Sequence, residues 1–220
     1  MEKLNQYIDH TMLKADATAA EVSQLCAEAV SHDFASVCVN PSRIPHVKKC
    51  LVGSKVKVAT VVGFPLGAQS TNTKLFEAQE AINAGADEID VVMNIGAFKD
   101  GNYGYVEQEL VDLRQVTKNR VLKVIIETGL LSDQEIIKAV QLATEANADF
   151  IKTSTGFSKA GATPEAVQLI KESAQGKTKI KASGGIRNRE MAEALIASGA
   201  ERIGTSSGIL IMKSVKKVKK

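Results

Sequence analysis

The sequence predicts a single-domain α/β protein, an eight-stranded (β/α)8 TIM barrel. Three observations carry that expectation. Short apolar runs alternate with amphipathic segments along all 220 residues, a length that suits one such barrel, which runs about 200 residues and upward. A weak internal repeat recurs roughly every two strand–helix units, as when one module is reused around a ring. The chain also lacks the Gly-x-Gly-x-x-Gly opening that an open, doubly wound sheet often carries.

Taken in order, residues 7–9 form the first and least marked strand. Thr18-Ala19-Ala20-Glu21 is a capping box, in which a hydroxyl and a carboxylate satisfy free N–H groups at a helix start, and Val22, Leu25 and Ala29 give that helix its apolar face. Strands follow at 35–39, 57–62, 88–93 and 122–126. Ser132-Asp133-Gln134-Glu135 opens a second boxed helix, with Ile136, Val140 and Ala143 facing inward. A strand at 150–153 precedes Thr163-Pro164-Glu165, an N-cap with proline at the first helical position. Strands at 179–182 and 202–204 complete the eight.

The repeat is Ala84-Gly85-Ala86-Asp87-Glu88-Ile89, Ala146-Asn147-Ala148-Asp149-Phe150-Ile151 and Ser198-Gly199-Ala200-Glu201-Arg202-Ile203. Each copy has the glycine or asparagine that a left-handed helix C-cap favours, then a turn into a strand. The barrel is expected over residues 1–212. Residues 213–220, with five lysines, read as a solvated and disordered tail.

Composition narrows the function. Apolar residues make up 44% and charged residues 24%, which is globular, and no apolar run approaches the ~18 residues of a membrane span. The start has no secretory leader pattern, so a cytoplasmic location without membrane contact is expected. Three cysteines without Cys-x-x-Cys spacing suggest neither a disulfide framework nor a zinc site. The three histidines form no ligand pattern, which argues against a metal-dependent mechanism. With no tryptophan and few aromatics to stack bases, nucleic acid is not an expected partner.

The chemistry lies in charged residues inside apolar strands. Lys152 and Lys181 each sit in a short buried run just ahead of a small-residue loop, at the strand ends where barrels gather functional groups. A free lysine amine, with pKa about 10.4, is neutral only about 0.04% of the time at pH 7. Burial and a neighbouring ammonium lower that pKa and make the amine a nucleophile. One of the two lysines is then the nucleophile and the other its perturbing neighbour, with the order left open by the residues alone. Asp90, a carboxylate in a third apolar strand, requires a cationic or hydrogen-bonding partner. The loops Ser183-Gly184-Gly185-Ile186 and Gly204-Thr205-Ser206-Ser207-Gly208 fall after the last two strands, where barrels often bind phosphate. Lys123 reads as an ion-pair partner, Glu127 as its counterpart or a substrate contact, Cys38 as packing, and Gly63-Phe64-Pro65-Leu66-Gly67 as a turn at the cavity rim.

These segments, together with Ile8-Asp9-His10-Thr11, Val37-Cys38-Val39-Asn40-Pro41 and Lys152-Thr153-Ser154-Thr155-Gly156, resemble the deoxyribose-phosphate aldolases, a family of class I aldolases. The resemblance runs from near the N-terminus to about residue 208. It implies reversible cleavage of 2-deoxy-D-ribose 5-phosphate to D-glyceraldehyde 3-phosphate and acetaldehyde, in deoxyribose phosphate and deoxyribonucleotide catabolism. It makes Lys152 the Schiff-base residue, Lys181 the lysine that perturbs it, and Asp90 the acid/base carboxylate. It gives Asp9 and Thr11 substrate-side positions, and Gly156, Gly184, Gly185, Gly204, Ser206 and Ser207 the phosphate loops. A mechanism that needs no metal and no cofactor, and a homodimer or homotetramer, are implied as well. Phe157 stands where some members carry a lysine, and the tail lacks the terminal tyrosine of some members. Another Schiff-base aldolase or transaldolase, or a catalytically silent phosphosugar-binding barrel, are the competing readings.

Overall fold

Eight parallel strands close into a barrel in sequence order, β1 to β8. The computed structural model describes residues 3–213, and the expected tail lies outside the described residues except for Lys213, which ends the last helix. The strands are β1 (Ile8–Met12), β2 (Ser36–Val39), β3 (Lys57–Val62), β4 (Glu88–Val92), β5 (Val121–Ile125), β6 (Phe150–Lys152), β7 (Lys179–Ser183) and β8 (Arg202–Thr205). The principal helices between them are α1 (Ala19–Ser31), α2 (Ile44–Cys50), α3 (Thr71–Asn83), α4 (Ile95–Lys99), α5 (Tyr103–Val116), α6 (Asp133–Glu145), α7 (Pro164–Ala174) and α8 (Arg189–Ser198), with α9 (Gly208–Lys213) last.

Each strand expected from sequence is present. The first is longer than expected and shifted, ending at Met12 rather than residue 9, because His10 and Thr11 pair with β2 and give no hydrophobic signal of their own. Both capping boxes form, and Thr163 caps α7 ahead of Pro164. The repeat is realised as three left-handed turns, at Gly85, Asn147 and Gly199, with φ of 108°, 58° and 122°.

The period of two along each strand divides the side chains between two compartments. Val37, Val39, Val58, Ile89, Val91, Leu122, Val124, Ile151, Ile180, Ala182 and Ile203 face outward into the core shared with the helices. The barrel interior differs from side to side. Cys38, Ala59 and Val61, with Leu13 and Phe64, make a small apolar cluster on the β2–β3 side. Across from it, Asp9, Glu88, Asp90, Lys123, Lys152 and Lys181 are buried charges. The outer layer therefore provides the hydrophobic stabilisation, which leaves the interior free to hold a costly ionic arrangement.

Candidate active site

Register brings these charges together. Lys123 lies level with Asp90 on the neighbouring strand, and Lys181 level with Lys152. Asp90 Oδ1 is 2.7 Å from Lys123 Nζ, and Asp90 Oδ2 is 2.7 Å from Lys181 Nζ and 3.0 Å from Lys152 Nζ. Lys181 Nζ reaches Asp9 Oδ2 at 2.6 Å, and Arg202 donates to Asp9 Oδ1 at 2.6 Å and to Glu88 at 3.3 Å. Glu88 closes the circuit on Lys123 at 2.7 Å.

The circuit is a ring of alternating sign: Lys123, Asp90, Lys181, Asp9, Arg202, Glu88. Its three cations balance its three carboxylates. Lys152 is attached to Asp90 from outside the ring, so its proton would be a surplus charge. That explains the titration of the group. Burial, with Lys181 adding to it, outweighs the attraction of Asp90 and lowers the Lys152 pKa. Lys181 shows the reverse: burial opposes its charge, but Asp9 and Asp90 override it and raise the pKa. Burial likewise resists ionisation of Asp9 and Asp90. Lys181 and Arg202 around the first, and Lys123, Lys152 and Lys181 around the second, hold both carboxyls well below the usual range.

Lys152 opens onto a cavity of about 450 Å³ at the C-terminal end of the strands. Thr11, Thr155, Gly156, Ser183, Gly184, Gly185, Gly204 and Ser206 line it. The backbone is tight there. Gly184 has φ of 90°, and a Cβ on Gly161 would strike the Gly184 carbonyl. At Gly204 a Cβ would lie 2.9 Å from both Lys181 Cε and Ser183 Cβ, so the missing side chain is what lets Lys181 reach across to Asp9.

Of the residues singled out in the sequence, Lys152, Lys181 and Asp90 are in mutual contact, and Thr11 and most of the loop residues are on the cavity wall. Asp9, expected on the substrate side, lies beneath the cavity wall. Its carboxylate is fully buried behind Lys181 and engaged by Lys181 and Arg202. Ser207 is off the wall, and its backbone N–H donates to Thr205 Oγ1 at 2.9 Å. Lys123 is an ion-pair partner, but of Asp90 and Glu88. Glu127 instead accepts from Thr155 N–H and Oγ1 at 3.2 and 2.5 Å and from Ser158 Oγ at 3.0 Å, and so tethers the loop after β6. Cys38 is buried in the apolar cluster, and burial pushes its thiol up. Phe64 is a rim residue, its ring 6.0 Å from Lys152 Nζ and 5.2 Å from Phe157.

Sequence reasoning passed over Arg202, Glu88, Arg187 and Lys14. Arg187, directly after the Ser183-Gly184-Gly185-Ile186 loop, lines the cavity with Lys14 and gives the wall positive charge. Its adjacency to that loop was the available signal. Arg202 and Glu88 each begin a strand, in the position of the repeat where a charged residue reads as a solvated turn.

Comparison with known proteins places the chain and its fold among relatives. The family model described as DeoC/LacD family aldolase matches residues 3–214. A deoxyribose-phosphate aldolase of Finegoldia magna is 56% identical over 210 residues, covering 96% of this chain and 99% of the relative. A solved aldolase, QR15, superposes with a TM-score of 0.93 at 46% identity, covering 96% of this chain and 95% of the other. The deoxyribose phosphate aldolase from Aeropyrum pernix, described as having a unique tetrameric structure, superposes with a TM-score of 0.92 at 33% identity over 99% of this chain and 93% of its own. With a match along essentially its whole described length and an interior arranged around a lysine of lowered pKa, the chain belongs to the DeoC/LacD aldolase family.

Proposed function

We propose that this protein is a class I deoxyribose-phosphate aldolase that reversibly cleaves 2-deoxy-D-ribose 5-phosphate to D-glyceraldehyde 3-phosphate and acetaldehyde, with Lys152 as its Schiff-base residue. The observation that carries the reading is the position of Lys152, outside a charge-balanced ring and open to a cavity walled by Gly-rich loops. The name of the Finegoldia magna relative supports the substrate.

Neutral Lys152 Nζ attacks the aldehyde carbon of the open-chain sugar, and loss of water leaves an iminium. Asp90, ionised and 3.0 Å from the nitrogen, stabilises the new positive charge. The iminium accepts the electron pair of the C2–C3 bond as the C3 hydroxyl passes its proton through a water to the Asp90 carboxylate, beside the still-charged Lys181. Glyceraldehyde 3-phosphate departs, the enamine carbon takes a proton back from the same relay, and water releases acetaldehyde and the free amine. Lys181 keeps its own charge throughout, because Asp9 and Asp90 both hold it.

The phosphate is assigned to Gly156, Gly184, Gly185, Gly204 and Ser206 with Ser207 behind them. Arg187 and Lys14 supply charge on a wall where Phe157 brings none. Thr11 is a substrate contact, and Asp9 serves the reaction through Lys181. The reading includes a cytoplasmic setting in deoxyribose phosphate breakdown and self-association into a dimer or tetramer. Among the described residues no helix is long and apolar enough to cross a membrane.

The deciding experiment is borohydride reduction in the presence of acetaldehyde, followed by peptide mapping, alongside an assay of 2-deoxyribose 5-phosphate cleavage. The expected result is a two-carbon adduct at Lys152 that is lost in Lys152→Leu. An adduct scattered over surface lysines, or none, would overturn the assignment.

A further inference from the structure

Arg202 opens β8 on the N-terminal floor of the barrel, the face opposite the cavity, and its side chain is 15% exposed there. It is not among the residues that line the cavity. It donates to Asp9 at 2.6 Å and to Glu88 at 3.3 Å, and its guanidinium lies 5.4 Å from the Phe150 ring centroid. We infer that Arg202 is a positioning residue for the reaction, closing the ionic ring from the floor and completing its charge balance without Lys152. The inference rests on the reading of Lys152 as the nucleophile.

The balance depends on every charged group in the interior. Lys152 of β6 faces Asp90 of β4, Lys181 of β7 and the Cys38 thiol of β2. Arg202 faces Asp9 of β1 and Glu88 of β4, and Lys123 of β5 links Glu88 to Asp90. β3 contributes the apolar Ala59 and Val61 on this side. Lys179, which shares the Phe150 ring with Arg202, and Lys57, beside Arg202 on the floor, make no ion pair with Asp9, Glu88 or Asp90 among the described residues. Without Arg202 the ring would hold three carboxylates and two lysines, and the proton of Lys152 would restore neutrality. Lys152 would then hold that proton to higher pH and be a poorer nucleophile. An arginine suits the position because its guanidinium does not give up its proton in a protein, whereas a lysine there could titrate in place of Lys152. It also spans two carboxylates with one planar fork.

The test is the pH dependence of kcat/KM for cleavage, and of the rate at which acetaldehyde and cyanoborohydride label Lys152. Arg202→Met should move the acid limb of both upward by about one pH unit, about a tenfold loss of neutral amine below the limb, with the rate recovering at alkaline pH. Arg202→Lys should restore the limb towards its original position. Glu88→Gln removes a carboxylate instead and should move the limb downward, and the double variant Arg202→Met/Glu88→Gln should bring it back. Should Arg202→Met fail to fold, the Glu88→Gln shift and its sign decide the matter. A loss by the same factor at every pH in Arg202→Met, or an unmoved or upward-moving limb in Glu88→Gln, overturns the inference while an adduct at Lys152 leaves the reading of the site intact. An unaltered protein that forms no adduct at Lys152 removes that reading and this inference together.

Discussion

Lys152 and Lys181 share a single oxygen of Asp90, at 3.0 and 2.7 Å, yet their titrations diverge: the first is lowered and the second raised. The difference is Asp9, which contacts Lys181 at 2.6 Å. Lys181 is held by two carboxylates and Lys152 by one, so proximity to Asp90 alone does not set either value. Both amines are desolvated, and the second carboxylate decides which one remains charged.

Lys152→Leu is expected to abolish turnover, by at least about 10³-fold as for removal of a nucleophile, without loss of stability. The substitution takes away the surplus cation and fills the space with apolar atoms, an exchange that is often neutral or stabilising for buried charges. Thermal melts alongside the cleavage assay check both halves. A substantial drop in Tm would mean that Lys152 belongs to the structural ring.

Lys123→Met should behave oppositely. Lys123 touches no substrate in this reading but pairs with Glu88 and Asp90, each at 2.7 Å, so its loss opens the ring and leaves Glu88 with Arg202 as its cation and Asp90 with Lys152 and Lys181. Removing one partner of a buried pair costs about 3–5 kcal/mol. Urea denaturation measures this directly.

Acid stability follows from Asp9 and Asp90, whose carboxyls lie well below their ordinary range in the folded state. A lowered folded pKa contributes stability that is complete above the unfolded value, about 3.9, and is lost as pH falls through the folded one. Stability should therefore hold down to about pH 5 and decline steadily below about pH 4. In Asp9→Asn the decline should be shallower relative to its own neutral-pH stability. Melting curves between pH 2 and 7 provide the comparison, and identical slopes would contradict the assignment.

Gly204→Ala should impair catalysis more than folding. The added Cβ would lie 2.9 Å from Lys181 Cε and from Ser183 Cβ, which displaces Lys181 from Asp9. Overpacking of this kind costs about 1–3 kcal/mol. A fall of about tenfold or more in kcat is the expected kinetic signature, with a rise in KM for the phosphorylated sugar because Gly204 also lies on the cavity wall.

Arg187→Ala should raise KM for the phosphorylated sugar by about tenfold, in line with loss of one charge-assisted contact of about 1.5–3 kcal/mol. Cleavage of unphosphorylated 2-deoxyribose should be little affected. An equal effect on both substrates would place Arg187 outside the phosphate site.

Much of this was legible in the sequence for a physical reason. Lys152, Lys181 and Asp90 stand out because a charge within an apolar run violates the local pattern, and capping boxes such as Thr18–Glu21 announce helix starts. Arg202 and Glu88 do not stand out, since a charge at the edge of a strand breaks no pattern. Lys74 escaped for a similar reason: in a polar helix it looks solvated, yet it is buried against Glu109 at 2.6 Å and donates to the Val92 carbonyl at 2.9 Å. Glu127 was visible as a strand-end carboxylate, but its partners Thr155 and Ser158 lie across a loop whose path no local signal encodes.

The bond between Arg202 and Asp9 joins the last strand to the first, 193 residues apart along the chain. During synthesis, β6 with its Lys152 leaves the ribosome while β8 is still unmade. In the proposed reaction the chemistry therefore waits for the seam: a nascent chain carries the Lys152 amine but not the closed ring beside it until translation has delivered the strand that closes the barrel.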